Sequence, residues 1–203
     1  MALVNHTGPF DFVIFGATGD LSRRKLLPAF LRRFHAQEFS DDAQIICVAR
    51  TALNTEQFRE QTEAALREFA PETAQDEQTL HHFLGLLTYI TLDALQPGGD
   101  WQALKTLLAA NDRPRVFYLA TAPALYSPLC AALARHDLLN QHSRVLLYKP
   151  PGGNLGTAPD IHHVVGQLFP DASIHPIDPD LGNAGVPHLL DPPCAAPMPA
   201  PPW

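Results

Sequence analysis

Short apolar runs alternate with amphipathic stretches along most of the chain. The runs are rich in β-branched and aromatic residues, a composition typical of strands that are covered on both faces. They predict strands over residues 10–15, 45–49, 87–92, 115–120 and 144–148. Between them apolar residues recur every three or four positions, which is the pattern of amphipathic helices. The predicted helices cover residues 23–34, 55–69, 77–86, 101–110, 124–136 and 157–169, and a short extended piece covers 173–177.

Local signals refine the ends of these elements. Ser22 is the expected N-cap of the first helix, and Pro28 should end its first turn or bend it. Asn54 or Thr55 can cap the second helix. Residues 71–75 are expected to form a polar loop before the third helix.

The order of elements predicts the fold class. Strands separated by helices indicate βαβ units, and hence an α/β, Rossmann-like fold with a doubly wound, mostly parallel sheet and helices on both faces. In such sheets ligands bind beyond the carboxyl ends of the strands, where the strand order reverses. The segments 16–22, 50–51 and 120–123 follow three of the predicted strands and are therefore the candidates for a binding site.

Proline separates the end of the chain from the rest. Of the 20 prolines, 13 lie from Pro150 onward, and the last seventeen residues read PHLLDPPCAAPMPAPPW. Such a composition cannot maintain the hydrogen bonding of a helix or a sheet. We therefore predict a folded α/β domain over residues 1–186 and a disordered tail over 187–203.

Charge and cysteine content narrow the function classes. The formal net charge of -7 argues against nucleic acid or an acidic membrane surface as the main partner. Cys47, Cys130 and Cys194 are widely spaced and form no CxxC pair, which predicts neither a disulfide framework nor a metal site. No apolar stretch is long enough to span a bilayer. We expect a cytoplasmic protein, and the sequence gives no indication of its oligomeric state.

A glycine-containing turn follows the first predicted strand. It reads Gly-Ala-Thr-Gly-Asp-Leu-Ser over residues 16–22 and leads directly into a helix. Gly16 and Gly19 allow a sharp turn, and the unpaired N–H groups at the start of the helix favour phosphate. The spacing resembles a variant of the dinucleotide-binding fingerprint. The alternative is a tight turn with no ligand.

Arg50 stands directly after the second predicted strand, where this fold meets the adenosine ribose of a dinucleotide. An acidic residue there would accept hydrogen bonds from a free 2′-hydroxyl, whereas arginine offers a planar set of donors to a 2′-phosphate. The sequence therefore favours NADP over NAD. The alternative is an exposed arginine that only ends a strand.

Five motifs in order resemble those of the glucose-6-phosphate dehydrogenases. The turn at 16–21, with Lys25 and Pro28 after it, resembles that family's Gly-Ala-Ser-Gly-Asp-Leu motif. Val-Ala-Arg at 48–50 is the second motif, and the strand and loop at 115–123 resemble the family's Tyr-Leu-Ala-x-x-Pro segment. Lys149-Pro150 resembles a Glu-Lys-Pro segment. Asp178 with Leu181-Gly182 resembles part of an Arg-Ile-Asp-His-Tyr-Leu-Gly signature.

The resemblance implies an N-terminal coenzyme domain of an enzyme of the oxidative pentose phosphate pathway. Such an enzyme transfers hydride from C1 of glucose 6-phosphate to NADP, while a His–Asp pair removes the hydroxyl proton. By position, Lys149 is implied to contact substrate and cofactor, and Asp178 to orient the catalytic histidine. The implied cofactor-binding residues are Gly16, Ala17, Thr18, Gly19, Asp20, Leu21, Arg50, Ala120 and Lys149.

Several positions depart from the family pattern. Tyr148 replaces the glutamate before Lys149, and Pro179 and Asp180 replace the histidine and tyrosine after Asp178. Proline cannot bind a phosphate through its side chain, and an aspartate would repel one. The catalytic histidine belongs to a second domain beyond this region, so we expect the chain alone to be inactive. The alternatives are a non-catalytic or regulatory NADP-binding protein and a truncated fragment without function.

Overall fold

The strands form a single parallel sheet in the computed structural model, which describes residues 8–96, 99–148 and 175–177. The strands are β1 (Asp11–Phe15), β2 (Gln44–Ala49), β3 (Leu87–Thr91), β4 (Arg115–Leu119), β5 (Ser143–Tyr148) and β6 (His175–Ile177). Their order across the sheet is β3-β2-β1-β4-β5-β6. The order reverses between β1 and β4, which confirms the predicted doubly wound sheet.

Helices cover the connections between these strands. They are α1 (Leu27–His35), α2 (Thr55–Phe69), α3 (Pro71–Ala74), α4 (Glu77–Gly85), α5 (Trp101–Ala109) and α6 (Tyr126–Arg135). A π-helical turn over Ser22–Leu26 precedes α1, and a 3-10 turn over Pro123–Leu125 precedes α6. None of the helices in the described ranges is long and apolar enough to cross a membrane.

The sheet separates two apolar cores, because successive side chains of a strand point to opposite faces. On β1, Phe12 and Ile14 pack in the core that contains residues of α1, α2 and α4. Val13 and Phe15 pack in the other core, with residues of α5 and α6. All five residues of β1 are buried, as the continuous apolar run predicted. The expectation of helices on both faces is therefore confirmed.

The first helix begins earlier than the sequence predicted. Leu21 already has helical dihedral angles, with φ -58° and ψ -47°, so Ser22 is not the N-cap. The Ser22 hydroxyl instead donates a hydrogen bond to the Gly16 carbonyl at 3.1 Å, because the turn before the helix brings that carbonyl back to it. The irregularity expected at Pro28 lies just before it, where the Leu27 N–H donates to the Ser22 carbonyl across a wider turn.

Residues 71–75 also differ from the prediction, because a short helix, α3, replaces the expected loop. Pro71 occupies its first turn, where the fixed φ of proline favours a helix and the missing N–H costs nothing. The predicted helix over 157–169 and the predicted tail over 187–203 lie outside the described residues. The domain boundary at residue 186 therefore stays a prediction.

Strand β3 lies at an edge of the sheet, and α2 covers it. The Thr55 hydroxyl accepts a hydrogen bond from the Tyr89 N–H at 3.1 Å. One turn later Arg59 donates to the Leu87 carbonyl at 2.7 and 3.0 Å. These side chains take up backbone groups that an edge strand would otherwise offer to another chain.

Candidate functional site

The three candidate segments of the sequence meet at one edge of the sheet. Phe15 pairs in register with Val48 of β2 and with Leu119 of β4, so the three strands end at the same level. The segments 16–22, 50–51 and 120–123 therefore leave the sheet side by side. This is the carboxyl end of the strands at the point where their order reverses, which is the ligand-binding position of doubly wound folds.

Gly16 cannot be replaced by a larger residue without a change in the backbone. Its φ is +87°, a conformation that residues with a Cβ rarely adopt, and a Cβ would lie 2.5 Å from the carbonyl oxygen of Ala120. The Gly16 N–H donates to the Val48 carbonyl at 2.9 Å, and the Ala17 N–H donates to the same carbonyl at 3.2 Å. The turn is thus held between β2 and β4.

The rest of the turn closes on the Gly16 carbonyl. This oxygen accepts from the Gly19 N–H at 3.0 Å and from the buried Ser22 hydroxyl at 3.1 Å. The Arg23 N–H then donates to the Gly19 carbonyl at 3.1 Å, as the first backbone bond of the helix. The N–H groups of the first helical turn form the positive end of the helix dipole, which favours an anion such as a diphosphate.

Ala17, Asp20 and Leu21 occupy different environments within this turn. Ala17 is fully buried, and Leu21 is partly buried against the core beneath α1. Asp20 is exposed, and its carboxylate forms an ion pair with Nε of Arg24 at 2.8 Å. The arginine reduces the repulsion that this carboxylate would exert on a bound anion. The Ala17 N–H is already bound to the Val48 carbonyl, so Ala17 holds the turn, whereas Leu21 can offer a ligand its backbone N–H rather than a side-chain contact.

Arg50 is exposed at the end of β2 and forms no ion pair or hydrogen bond with another residue in the described part of the chain. Its neighbour Thr51 links the end of β2 to the glycine turn, since the hydroxyl oxygens of Thr18 and Thr51 lie 3.3 Å apart. The guanidinium of Arg50 thus keeps its donors available beside a turn that is itself suited to phosphate.

Ala120 and Thr121 form the third side of the site. The Ala120 N–H donates to the Phe15 carbonyl at 2.9 Å, which continues the pairing of β4 with β1 by one residue. The hydroxyl oxygen of Thr121 is buried and has no hydrogen-bond partner among the described residues. A buried hydroxyl without a partner is costly, and a polar ligand could supply one. The sequence placed Thr121 within the candidate segment 120–123 but assigned it no role of its own.

Sequence reasoning missed Tyr89 and Thr91. Both side chains reach from β3 to the segment after Arg50, where the Tyr89 hydroxyl donates to the Thr51 carbonyl at 2.7 Å and the Thr91 hydroxyl does so at 3.2 Å. Lys149 and Asp178, the two residues implied to contact substrate or to orient the catalytic base, lie outside the described residues. Their roles stay predictions.

The buried ionisable groups elsewhere belong to the structure rather than to this site. Burial raises the pKa of Cys47 above its ordinary range and that of Cys130 to about 12, so both stay thiols at neutral pH. Asp11, at the start of β1, is 1% exposed and lies 2.8 Å from Nε of Arg113. Burial raises the pKa of Asp11, while Arg113 and then Arg115 act in the opposite direction.

The model of the glucose-6-phosphate dehydrogenase NAD-binding domain matches residues 13–187 of this chain. The chain belongs to that family. The glucose-6-phosphate 1-dehydrogenase of Gluconobacter oxydans is 47% identical over 184 residues, which cover 90% of this chain and 38% of the relative. The enzyme of the same name from Mycolicibacterium smegmatis is 38% identical over 187 residues, with coverage of 90% and 38%.

Solved structures of the family share the fold. A glucose-6-phosphate dehydrogenase in complex with glucose 6-phosphate superposes with a TM-score of 0.72 at 27% identity, and the match covers 88% of this chain and 38% of that one. The Mycobacterium avium glucose-6-phosphate 1-dehydrogenase gives a TM-score of 0.65 at 28% identity, with coverage of 78% and 34%.

The chain thus spans less than half the length of these relatives, and it matches their coenzyme-binding domain. A domain of this family binds a nicotinamide dinucleotide. The expected fold class and family are therefore confirmed.

Proposed function

We propose that this chain binds NADP at the carboxyl edge of its sheet and serves as the coenzyme domain of a cytoplasmic glucose-6-phosphate dehydrogenase. The observation that carries the proposal is the meeting of the glycine turn with Arg50, which has no side-chain partner among the described residues, at the reversal of strand order. NADP supplies a nicotinamide ring that accepts a hydride, here from C1 of glucose 6-phosphate.

The described residues fit such a cofactor. Within the turn, the Gly16 carbonyl accepts hydrogen bonds from the Gly19 N–H and the Ser22 hydroxyl, and the helix begins directly after the turn. We assign the diphosphate to the turn over residues 16–21, through the N–H groups that its internal hydrogen bonds leave available, since those of Gly16, Ala17 and Gly19 are already bound to carbonyls. The buried, unpartnered hydroxyl of Thr121 and the backbone of Ala120 line the side next to β4.

Arg50 gives the preference for NADP in this proposal. Its guanidinium is exposed, has no acidic partner in the described ranges and follows β2, the strand beside β1. A hydrogen bond to a charged group contributes about 1.5–3 kcal/mol, and a 2′-phosphate can accept two from one guanidinium. NAD lacks that phosphate and should bind more weakly.

The substrate side of the proposal depends on the family resemblance. Lys149 would contact both the sugar phosphate and the cofactor, and Asp178 would orient a histidine that takes the proton from the C1 hydroxyl. Pro179 and Asp180 are poor substitutes for phosphate-binding residues, because one has no donor and the other is negative. We therefore expect the polypeptide of residues 1–203 to bind NADP without reducing it.

A non-catalytic, regulatory NADP-binding protein is the second candidate. The observation that favours it is the difference between the two halves of the site. The glycine turn and Arg50 retain the features that a dinucleotide requires, whereas Pro179 and Asp180 replace residues implied to hold the substrate. Both candidates predict NADP binding, and they differ in whether glucose 6-phosphate is also bound.

Calorimetric titration of the purified chain with NADP and with NAD tests the proposal. We expect NADP to bind at least about tenfold more tightly, and Arg50→Ala to remove most of that difference by a fall in NADP affinity of about 10- to 100-fold. Arg135→Ala is the matched control, since Arg135 is also exposed but ends α6. It should leave both affinities unchanged.

Equal affinity for the two dinucleotides, or an Arg50→Ala variant that retains the preference, would refute the assignment of NADP to Arg50. A further titration with glucose 6-phosphate separates the two candidate functions. Binding that is lost in Lys149→Ala favours the dehydrogenase domain, and the absence of binding favours the regulatory protein. Formation of NADPH by the wild-type chain, above the Lys149→Ala background, would contradict the expected inactivity.

A further inference from the structure

The backbone directly after Arg50 is anchored by side chains from the neighbouring strand. The carbonyl oxygen of Thr51 accepts hydrogen bonds from the Tyr89 hydroxyl at 2.7 Å and from the Thr91 hydroxyl at 3.2 Å. The single Thr91 hydroxyl proton is shared with the carbonyl oxygen of Leu53 at 3.1 Å, and the hydroxyl oxygen accepts from the Leu53 N–H at 3.4 Å. Two residues on the same face of β3 therefore fix the chain between β2 and α2.

Tyr89 is the more rigid of the two anchors. It is 6% exposed, and its ring stacks on Phe58 of α2 with 4.7 Å between ring centroids and 20° between ring planes. Its backbone pairs with Cys47 of β2 on one side, and its N–H donates to the Thr55 hydroxyl on the other. Burial raises the pKa of the Tyr89 phenol, so the hydroxyl remains a donor at neutral pH. Packing and backbone hydrogen bonds therefore hold the Tyr89 hydroxyl in place.

Arg50 itself has no such support. Its guanidinium forms no hydrogen bond or ion pair within the described part of the chain, so the backbone alone sets where the side chain begins. Thr51 also lies beside the glycine turn, since its hydroxyl oxygen is 3.3 Å from that of Thr18 at an exposed position. A shift of the Thr51 peptide would thus move Arg50 relative to the turn.

We infer that Tyr89 is a positioning residue for coenzyme preference, because its hydroxyl fixes the Thr51 peptide and thereby holds Arg50 in reach of the 2′-phosphate. The inference rests on the proposed binding of NADP at this edge. Tyr89 need not touch the cofactor. It reduces the conformational freedom that the 50–51 segment would lose on binding, which raises affinity by preorganisation.

The effect should be specific to NADP. The 2′-phosphate would be the group that depends on Arg50, whereas the diphosphate would depend on the glycine turn, which is held by Val48 and Ala120 without Tyr89. Tyr89→Phe removes the hydroxyl and retains the ring that stacks on Phe58. We expect it to weaken NADP binding about three- to tenfold, as one neutral hydrogen bond allows, and to change NAD binding less than about twofold.

Two further variants serve as control and second probe. Tyr118→Phe is the matched control, because Tyr118 is also a buried tyrosine stacked on a phenylalanine, Phe12, but lies on β4. It should leave the ratio of NADP to NAD affinity unchanged. Thr91→Val removes the longer of the two anchoring bonds at an exposed position, and we expect a loss of NADP affinity of about twofold. It keeps the test available if Tyr89→Phe folds poorly.

A double variant shows whether Tyr89 acts through Arg50. In the Arg50→Ala background, Tyr89→Phe should cost no further NADP affinity, since there is no guanidinium left to position. An unchanged affinity ratio in Tyr89→Phe, an equal loss for NADP and NAD, or an additive loss in the double variant would each overturn the inference. These outcomes leave the proposed function intact if Arg50→Ala alone abolishes the NADP preference. If Arg50→Ala has no effect, the assignment of Arg50 fails and this inference with it.

Discussion

The two ends of the parallel sheet use polar residues in opposite ways. At the amino end, Asp11 lies beside Arg113, while Arg115 donates to the carbonyl oxygens of Leu138 and Leu108 at 2.9 and 2.5 Å. At the carboxyl end, Arg50 has no partner among the described residues, and the glycine turn presents the start of a helix. The charge of Asp11 is thus neutralised by a neighbouring arginine at the amino end, whereas the guanidinium of Arg50 is available to a ligand at the carboxyl end.

This difference distinguishes polar groups that stabilise the fold from polar groups that can bind a ligand, at the two ends of the same sheet. Asp11 and Arg115 are among the most buried charged residues described, at 1% and 8% exposure, yet each is occupied by contacts within the protein. Burial and a shifted pKa therefore do not by themselves mark the site. An exposed guanidinium without a partner among the described residues, at the reversal of strand order, is the better indicator, and the predictions below test that distinction.

The largest effect is expected from Gly16→Ala at the carboxyl end. The left-handed φ of +87° and the clash of a Cβ with the Ala120 carbonyl at 2.5 Å should together cost about 3 kcal/mol or more of unfolding free energy. Coenzyme binding should also fall below detection, because the turn must move. Gly85→Ala is the control, since a Cβ there meets no atom within 4 Å. Urea denaturation and titration measure both effects, and an unaltered Gly16→Ala variant would disprove the role of the turn.

Arg113→Ala should have the next largest effect, at the amino end. It leaves the buried Asp11 carboxylate without its nearest counter-charge, which should cost about 2 kcal/mol at neutral pH. Since Arg113 lies at the opposite edge from the glycine turn, the ratio of NADP to NAD affinity should not change. A lost preference in a folded Arg113→Ala variant would mean that the two ends are not independent.

The same variant has a predictable pH dependence. Burial raises the pKa of Asp11, so the native state binds more protons than the unfolded state over the range between the two pKa values. The contribution of Asp11 to stability is fully present below its unfolded pKa of about 3.9 and declines as pH rises through the folded pKa. Removal of Arg113 raises the folded pKa further. The stability difference from wild type should therefore narrow as the pH falls from neutral toward the unfolded pKa of Asp11, and a gap that widens would contradict this account.

The smallest effects compare two asparagines at opposite ends. Asn140, before β5, links to the Asp112 carboxylate at 3.2 Å and the Arg113 carbonyl at 3.0 Å, and accepts from the His142 N–H at 3.1 Å. Asn54 caps α2, with its side-chain oxygen 2.8 Å from the Gln57 nitrogen. We expect losses of about 1.5 kcal/mol for Asn140→Ala and about 1 kcal/mol for Asn54→Ala by urea denaturation. A larger loss for Asn54→Ala would reverse this order.

The sequence predicted the sheet because its strands are continuous apolar runs between amphipathic helices. It also predicted the three segments at the carboxyl edge, since each directly follows such a strand. Ser22 was misassigned because a serine before an apolar run suits either an N-cap or a buried hydroxyl, and only the turn geometry distinguishes them.

Residues that act across strands could not be found in this way. Tyr89 reads as an ordinary β-strand residue, and its hydrogen bond to Thr51 depends on how β3 lies beside β2. Asp11 likewise stands within an apolar run, and its partner Arg113 is distant in sequence. Local sequence pattern predicts helices and strands, whereas contacts between distant residues can be predicted only once the strand order is known.

Amide hydrogen exchange of the chain with and without NADP tests the central claim most directly. If the coenzyme binds at the carboxyl edge, exchange should slow in segments 16–22, 50–51 and 120–123. Exchange at the amino edge, over residues 11–12, 113–116 and 138–143, should not change. Slowing that is confined to the amino edge, or no change at the glycine turn at saturating NADP, would contradict the account.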